Sequence, residues 1–206
     1  CVEAIRDCIA RQKAEGAVGL KISAAYQRKI EFPNTPRCAA EPIYNRIGAR
    51  KRSQLSDGEM TLLENYLVRR EVEACIECGL VVAIHTGYQA GNRNDIRNTR
   101  ATHLWSLLND YPDARFDLYH GSTPYIADMN VLGKYFENVT LNMCWMHIMG
   151  PEMSRRALRE WLDAVPVTKL FAFGGDYQVV EKVYGHLTLA RWNVAVVLAE
   201  SIRAGR

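Results

Sequence analysis

Three features of the sequence predict a parallel α/β fold. Short apolar stretches with strand character recur along the chain, helical patterns separate them, and several of the stretches end on a polar residue. Parallel strands must be joined by crossover segments, which are usually helices, so this alternation is the sequence signature of a parallel sheet. The spacing between successive strands is the pace of a (β/α) barrel. No composition shift or low-complexity linker divides the 206 residues, so one domain is expected over 1–206.

The elements follow in order. Val2, Ile5, Ile9 and Ala10 recur at helical spacing, and Glu15-Gly16 supplies a stop. That helix feeds Val18-Gly19-Leu20-Lys21-Ile22, a short buried strand. Residues 33–58 hold three prolines, Asn34, Gly48 and the run Arg50-Lys51-Arg52, which suits a long irregular connection with the basic run solvated. Ser56 with Glu59 three residues later is a capping box, predicting a helix to about Cys78 with Gly79 as its stop. Leu80 to His85 reads as a buried strand. A helix over Ala101 to about Asp110 leads to the strand Phe116–His120, and a helix over Tyr125 to Phe136 leads to the strand Val139–Met143. The last cycle runs from a helix over Pro151–Ala164 into Lys169–Asp176, and residues 178–204 read as helical with a break near Gly185.

Lysine and arginine number 26 against 23 aspartate and glutamate, too near balance to indicate nucleic acid or an anionic membrane. No apolar run approaches the ~18 residues of a membrane span, and the N-terminus lacks the pattern of a secretory signal, so a cytoplasmic protein is expected. Among the six cysteines only Cys75 and Cys78 are closely spaced. They sit late in a helix without a second pair, which reads as reduced thiols rather than a metal or redox motif. Asn138-Val139-Thr140 matches a glycosylation acceptor but overlaps a strand and is discounted.

His85, His120 and Asp176 each end a predicted strand. In a parallel α/β sheet those ends share one edge, where barrel active sites lie. Burying three such groups together is costly unless they satisfy one another or a metal. Imidazole and carboxylate are ligands that zinc and related divalent ions accept in catalytic sites.

The segments VGLKISAAY (18–26), VVAIHTGYQ (81–89), FDLYHGSTPY (116–125), VTLNMCW (139–145) and FAFGGDY (171–177) resemble strands four to eight of the amidohydrolase superfamily. The likeness is to its amidohydrolase-2 branch, which includes metal-dependent hydrolases related to uronate isomerases and decarboxylases and the domains fused to glutamine synthetase. The resemblance implies a partial (β/α)8 TIM barrel, approximately strands four to eight with their helices. It makes His85 the strand-five metal ligand and His120 a second ligand or hydrogen-bond partner of the bound water. Asp176 becomes the strand-eight carboxylate that binds the metal and moves a proton, with zinc the expected divalent ion. His120 and Asp176 are therefore the expected catalytic pair.

In two-metal members a strand-four lysine is carbamylated; here Lys21 is assigned instead to substrate contact or structural pairing. Lys21 and Arg28 are cations suited to an anionic group, and Tyr26 and Trp145 complete the expected substrate contacts. His147 is expected to pack under a loop, His103 and His186 to lie on helical faces, and Arg93 and Arg97 to be solvated.

The family's first strand normally supplies His-x-His, and that motif occurs nowhere among the five histidines. The chain is also shorter than the ~250 residues of a complete eight-stranded barrel. The expectation is an enzyme fragment that alone holds metal weakly and is inactive, whose open strand edges invite pairing with a second copy. The expected partner is a small-molecule substrate, with no nucleic acid and no membrane. Rival readings are a decarboxylase or sugar-acid isomerase on the same scaffold, or a noncatalytic α/β module holding a small anion near Gly174-Gly175. Against the module, no phosphate-loop fingerprint is present.

Overall fold

The computed structural model describes residues 1–48 and 55–205; the Arg50-Lys51-Arg52 run lies outside them. Among the described residues five parallel strands, β1 (Gly19–Ile22), β2 (Val81–His85), β3 (Arg115–Tyr119), β4 (Val139–Asn142) and β5 (Leu170–Phe171), lie side by side in chain order. The helices are α1 (Val2–Ala14), α2 (Arg37–Gly48), α3 (Asp57–Cys78), α4 (Trp105–Asp110), α5 (Ile126–Tyr135), α6 (Met146–Met149), α7 (Pro151–Ala164) and α8 (Val180–Arg203).

Strand side chains alternate between faces, so the register separates two environments. Ile22, Ile84, Leu118 and Leu141 align across β1 to β4, as do Leu20, Val82, Phe116 and Val139, and both rows belong to the main apolar core. The intervening row Lys21, Ala83, Asp117 and Thr140 faces the other way and lines a groove of about 670 Å³. The sheet thus packs apolar rows against the core, while Lys21, Asp117 and Thr140 place polar groups on its other face.

Local chemistry sets the helix ends. The Ser56 Oγ accepts from the Glu59 N–H at 3.3 Å while Glu59 accepts from the Ser56 N–H at 2.9 Å, and Gly79 closes α3 at φ 62°. Pro151 opens α7, which buries Ala157, Leu158 and Trp161.

Four sequence expectations are corrected. Residues 33–58 are not a continuous irregular connection, because α2 forms despite Pro42; Ala40 and Ile43 pack on Leu63, and Arg37 pairs with Glu41 one turn away. Only Leu170–Phe171 of the predicted last strand joins the sheet. Beyond it the chain still meets the turn after β4 through the Trp145 N–H to Gly174 carbonyl bond at 3.2 Å, and Asp176 takes a positive φ. Gly185 does not interrupt α8, where its missing side chain faces open space. Residues 101–104 form a 3₁₀ turn ahead of α4 rather than its first helical turn.

Candidate active site

The carboxyl edge of the sheet gathers side chains from, or just after, all five strands. His85, the last residue of β2, is 2% exposed. Its Nε2 lies 2.9 Å from the Tyr88 carbonyl, which can only accept, so that nitrogen carries the proton and Nδ1 keeps the lone pair. Burial, then the neighbouring His120, pushes its pKa down to about 3.

His120 follows β3 at φ 66° and is 1% exposed. Its Nδ1–H donates to the Cys144 carbonyl at 3.0 Å, which leaves a lone pair on Nε2. That Nε2 is buried, has no hydrogen-bond partner among the described residues, and lies 3.5 Å from Asp176 Oδ2. Burial lowers the His120 pKa to about 4, so the ring is neutral at pH 7. The His85 and His120 rings are 4.3 Å apart.

Lys21 reaches across from β1 and donates to both Asp176 oxygens, at 2.8 and 2.7 Å. Its Nζ also lies 5.0 Å from the Tyr119 ring centre. Trp145, after β4, stands 6.2 Å from His120 and 6.3 Å from Tyr177, with its indole N–H buried and unpartnered among the described residues. Tyr26 packs 4.8 Å from His85 and accepts the Ala90 N–H on its hydroxyl at 3.0 Å. His120, Trp145 and Asp176 all hold positive φ without being glycine. Such conformations are costly and concentrate at functional sites.

The structure therefore brings His85, His120, Asp176, Lys21, Tyr26 and Trp145 to one edge. Arg28 is elsewhere: its guanidinium donates to the carbonyls of Lys29, Thr61 and Glu31 and to Glu64 and Asn65, tying the loop after β1 to α3. With its donors so engaged, it does not offer the expected grip on a substrate anion. Among the described residues, the compact set of possible metal ligands is His120, Cys144 and Asp176, with one ligand atom of each within 4.8 Å of the others. Cys144 was not anticipated, and His85 does not belong to that set. Burial holds the Cys144 thiol up at about 12. Gly174 makes room for Cys144, since a Cβ there would come within 2.8 Å of the Cys144 Cβ.

The remaining histidines pack. His147 bonds the Ala172 carbonyl and Asn193, His103 bonds the Arg97 carbonyl, and His186 is buried against Phe173. Arg97 is exposed and paired with Asp95. All six cysteines are free.

No family model matches the chain. Over 91 residues, 42% of this chain, it is 36% identical to Protein fluG of Emericella nidulans, of which that stretch covers 10%. Similar solved structures include a protein of Lactobacillus casei ATCC 334 named as a metal-dependent hydrolase, with TM-score 0.78, 21% identity, 95% of this chain and 51% of that one covered. Glucuronate isomerase of Caulobacter crescentus gives TM-score 0.76 at 16% identity over 100% of this chain and 45% of its own. Uronate isomerase of Thermotoga maritima gives 0.73 at 14% identity over 99% and 48%. The chain thus spans about half the length of these structures. Its five-stranded parallel α/β fold is that of part of the α/β barrels seen in these structures. No helix among the described residues is long and apolar enough to cross a membrane.

Proposed function

We propose that this chain carries the carboxyl-edge site of a metal-dependent hydrolase of the amidohydrolase type. The observation that carries the reading is the buried, unpartnered lone pair of His120 Nε2 facing Asp176 Oδ2 across 3.5 Å. Two electron-pair donors so placed are favourable only around a positive species. The donor set fits a divalent ion, and zinc is our assignment.

His120 through Nε2 and Asp176 through its carboxylate would hold the ion, with the Cys144 sulfur in reach and the His85 ring packed 4.3 Å from that of His120. When bound, it supplies Lewis acidity and makes hydroxide available near neutral pH. Asp176 takes the proton released when water attacks a carbonyl-type carbon of an amide, ester or lactone. Lys21 donates to both oxygens of that carboxylate and offers its ammonium to an anionic group on a small substrate. Trp145 and Tyr26 wall the site. A cytoplasmic setting and association with a second copy belong to the same proposal.

A sugar-acid isomerase is the second reading, favoured by the likeness to two uronate isomerases. It uses the same side chains, and product analysis with a uronate separates the two.

Zinc titration of the protein and of Asp176→Asn tests the reading. One ion should bind, more weakly than to a four-ligand site because no His-x-His pair is present, and the substitution should weaken it at least ~100-fold. Unchanged zinc binding in Asp176→Asn would refute the assignment.

A further inference from the structure

We propose that Asn142, backed by Asp117, is a positioning residue that fixes the tautomer of His120. The inference deepens the reading of His120 as a lone-pair donor and rests on it, but its test needs no metal.

One line of hydrogen bonds runs across β3 and β4 to His120. Asp117 lies on the concave row of β3, 7% exposed, and its carboxylate accepts from Thr140 Oγ1 at 3.1 Å and from Asn142 Nδ2 at 2.8 Å. The carboxylate cannot donate, so it selects the orientation of the Asn142 amide: nitrogen toward Asp117, oxygen away. That oxygen, Oδ1, accepts the Cys144 N–H at 2.9 Å. The turn after β4 is thereby pinned, and the Cys144 carbonyl accepts from His120 Nδ1 at 3.0 Å. Because a carbonyl only accepts, the proton must sit on Nδ1, and the neutral ring exposes its lone pair at Nε2, the atom that faces Asp176.

Asparagine suits position 142 because one side chain must donate to a carboxylate and accept from a backbone N–H. Aspartate would set two acceptors against each other, and an apolar residue would leave both the Asp117 carboxylate and the Cys144 N–H short of a partner. The neighbouring chain respects the arrangement, since a Cβ at Gly174 would come within 3.1 Å of Asn142 Oδ1. Buried groups that orient the ligand imidazole of a metal site commonly act in this way, fixing which nitrogen is protonated.

The test is ¹H–¹⁵N correlation of ring nitrogens in the full chain labelled at histidine, without metal, with His120 identified by His120→Gln. The expected wild-type pattern is a single neutral tautomer protonated at Nδ1. Asn142→Ala should replace it with a mixture of both tautomers. Thr140→Val, which removes a different hydrogen bond to Asp117, should leave the pattern unchanged, whereas a merely structural role would give the two variants the same spectrum. Should Asn142→Ala fail to fold, Asp117→Asn carries the test, because an amide there no longer dictates the Asn142 orientation and mixing should follow. A wild-type His120 protonated at Nε2, or a single Nδ1-protonated form persisting in folded Asn142→Ala or Asp117→Asn, would overturn the proposal. Zinc that shifts no histidine signal would defeat the metal reading while leaving the tautomer result standing.

Discussion

The ammonium of Lys21 covers both oxygens of Asp176, and this contact sets what a substitution will do. The two side chains are 32% and 36% exposed, so solvent screens the pair and its loss should cost no more than about 1 kcal/mol. Lys21→Met should therefore shift Tm only slightly while tightening zinc binding, since the carboxylate would no longer be neutralised within the chain. Calorimetric titration checks this, and weaker zinc binding in Lys21→Met would show that the lysine supports the ion rather than competing with it. At this scale His85, His120 and Asp176 were legible because each stands at the end of an apolar stretch. Cys144 and Asn142 were not, because their importance depends on the turn closed by the positive φ of Trp145, which has no periodic signature. Arg28 was misread for a related reason: a cation close in sequence to a strand end carries no sign of the α3 acceptors that engage it.

The loops after β2 and β3 are pressed together through Gly87. It holds φ 71°, and a Cβ there would come within 2.4 Å of the Thr123 backbone nitrogen, which cannot move aside as a side chain could. Gly87→Ala adds left-handed strain to that clash and should destabilise the fold by at least ~2 kcal/mol. Chemical denaturation measures this, and a loss within about 0.5 kcal/mol would show that the loops separate freely. The same loops follow His85 and contain His120, so the variant should also weaken zinc binding. Elements with their own chemical punctuation were legible in the sequence: the Ser56–Glu59 box and Gly79 bound α3, and Pro151 opens α7. Elements decided by packing were not. The α2 helix survives Pro42 because Ala40 and Ile43 find Leu63, a contact distant in sequence.

Burial lowers the pKa of His85, His120, His147 and His186, and this makes acid a destabilising condition. His186 is 2% exposed with its pKa pushed down to about 4 by burial, and His147 is lowered by burial as well. In the unfolded chain a histidine titrates near 6.5. Between these values the unfolded state binds more protons, so stability is full above pH ~6.5 and falls as pH drops toward about 4. His85 and His120 act in the same direction. Thermal unfolding from pH 7 to 5 should show a falling Tm, with a shallower fall in His186→Phe; equal slopes would mean that residue contributes nothing to the acid sensitivity. The parallel sheet itself was legible from alternating apolar stretches and helices. The division into an apolar row and a polar row was not, because the strands are short and Lys21, Asp117 and Thr140 line the concave groove only through their register. If His120 and Asp176 share one cation, anomalous X-ray diffraction from crystals soaked in zinc should show a zinc peak between His120 Nε2 and the Asp176 carboxylate; saturating zinc with no peak there would rule out a shared ion.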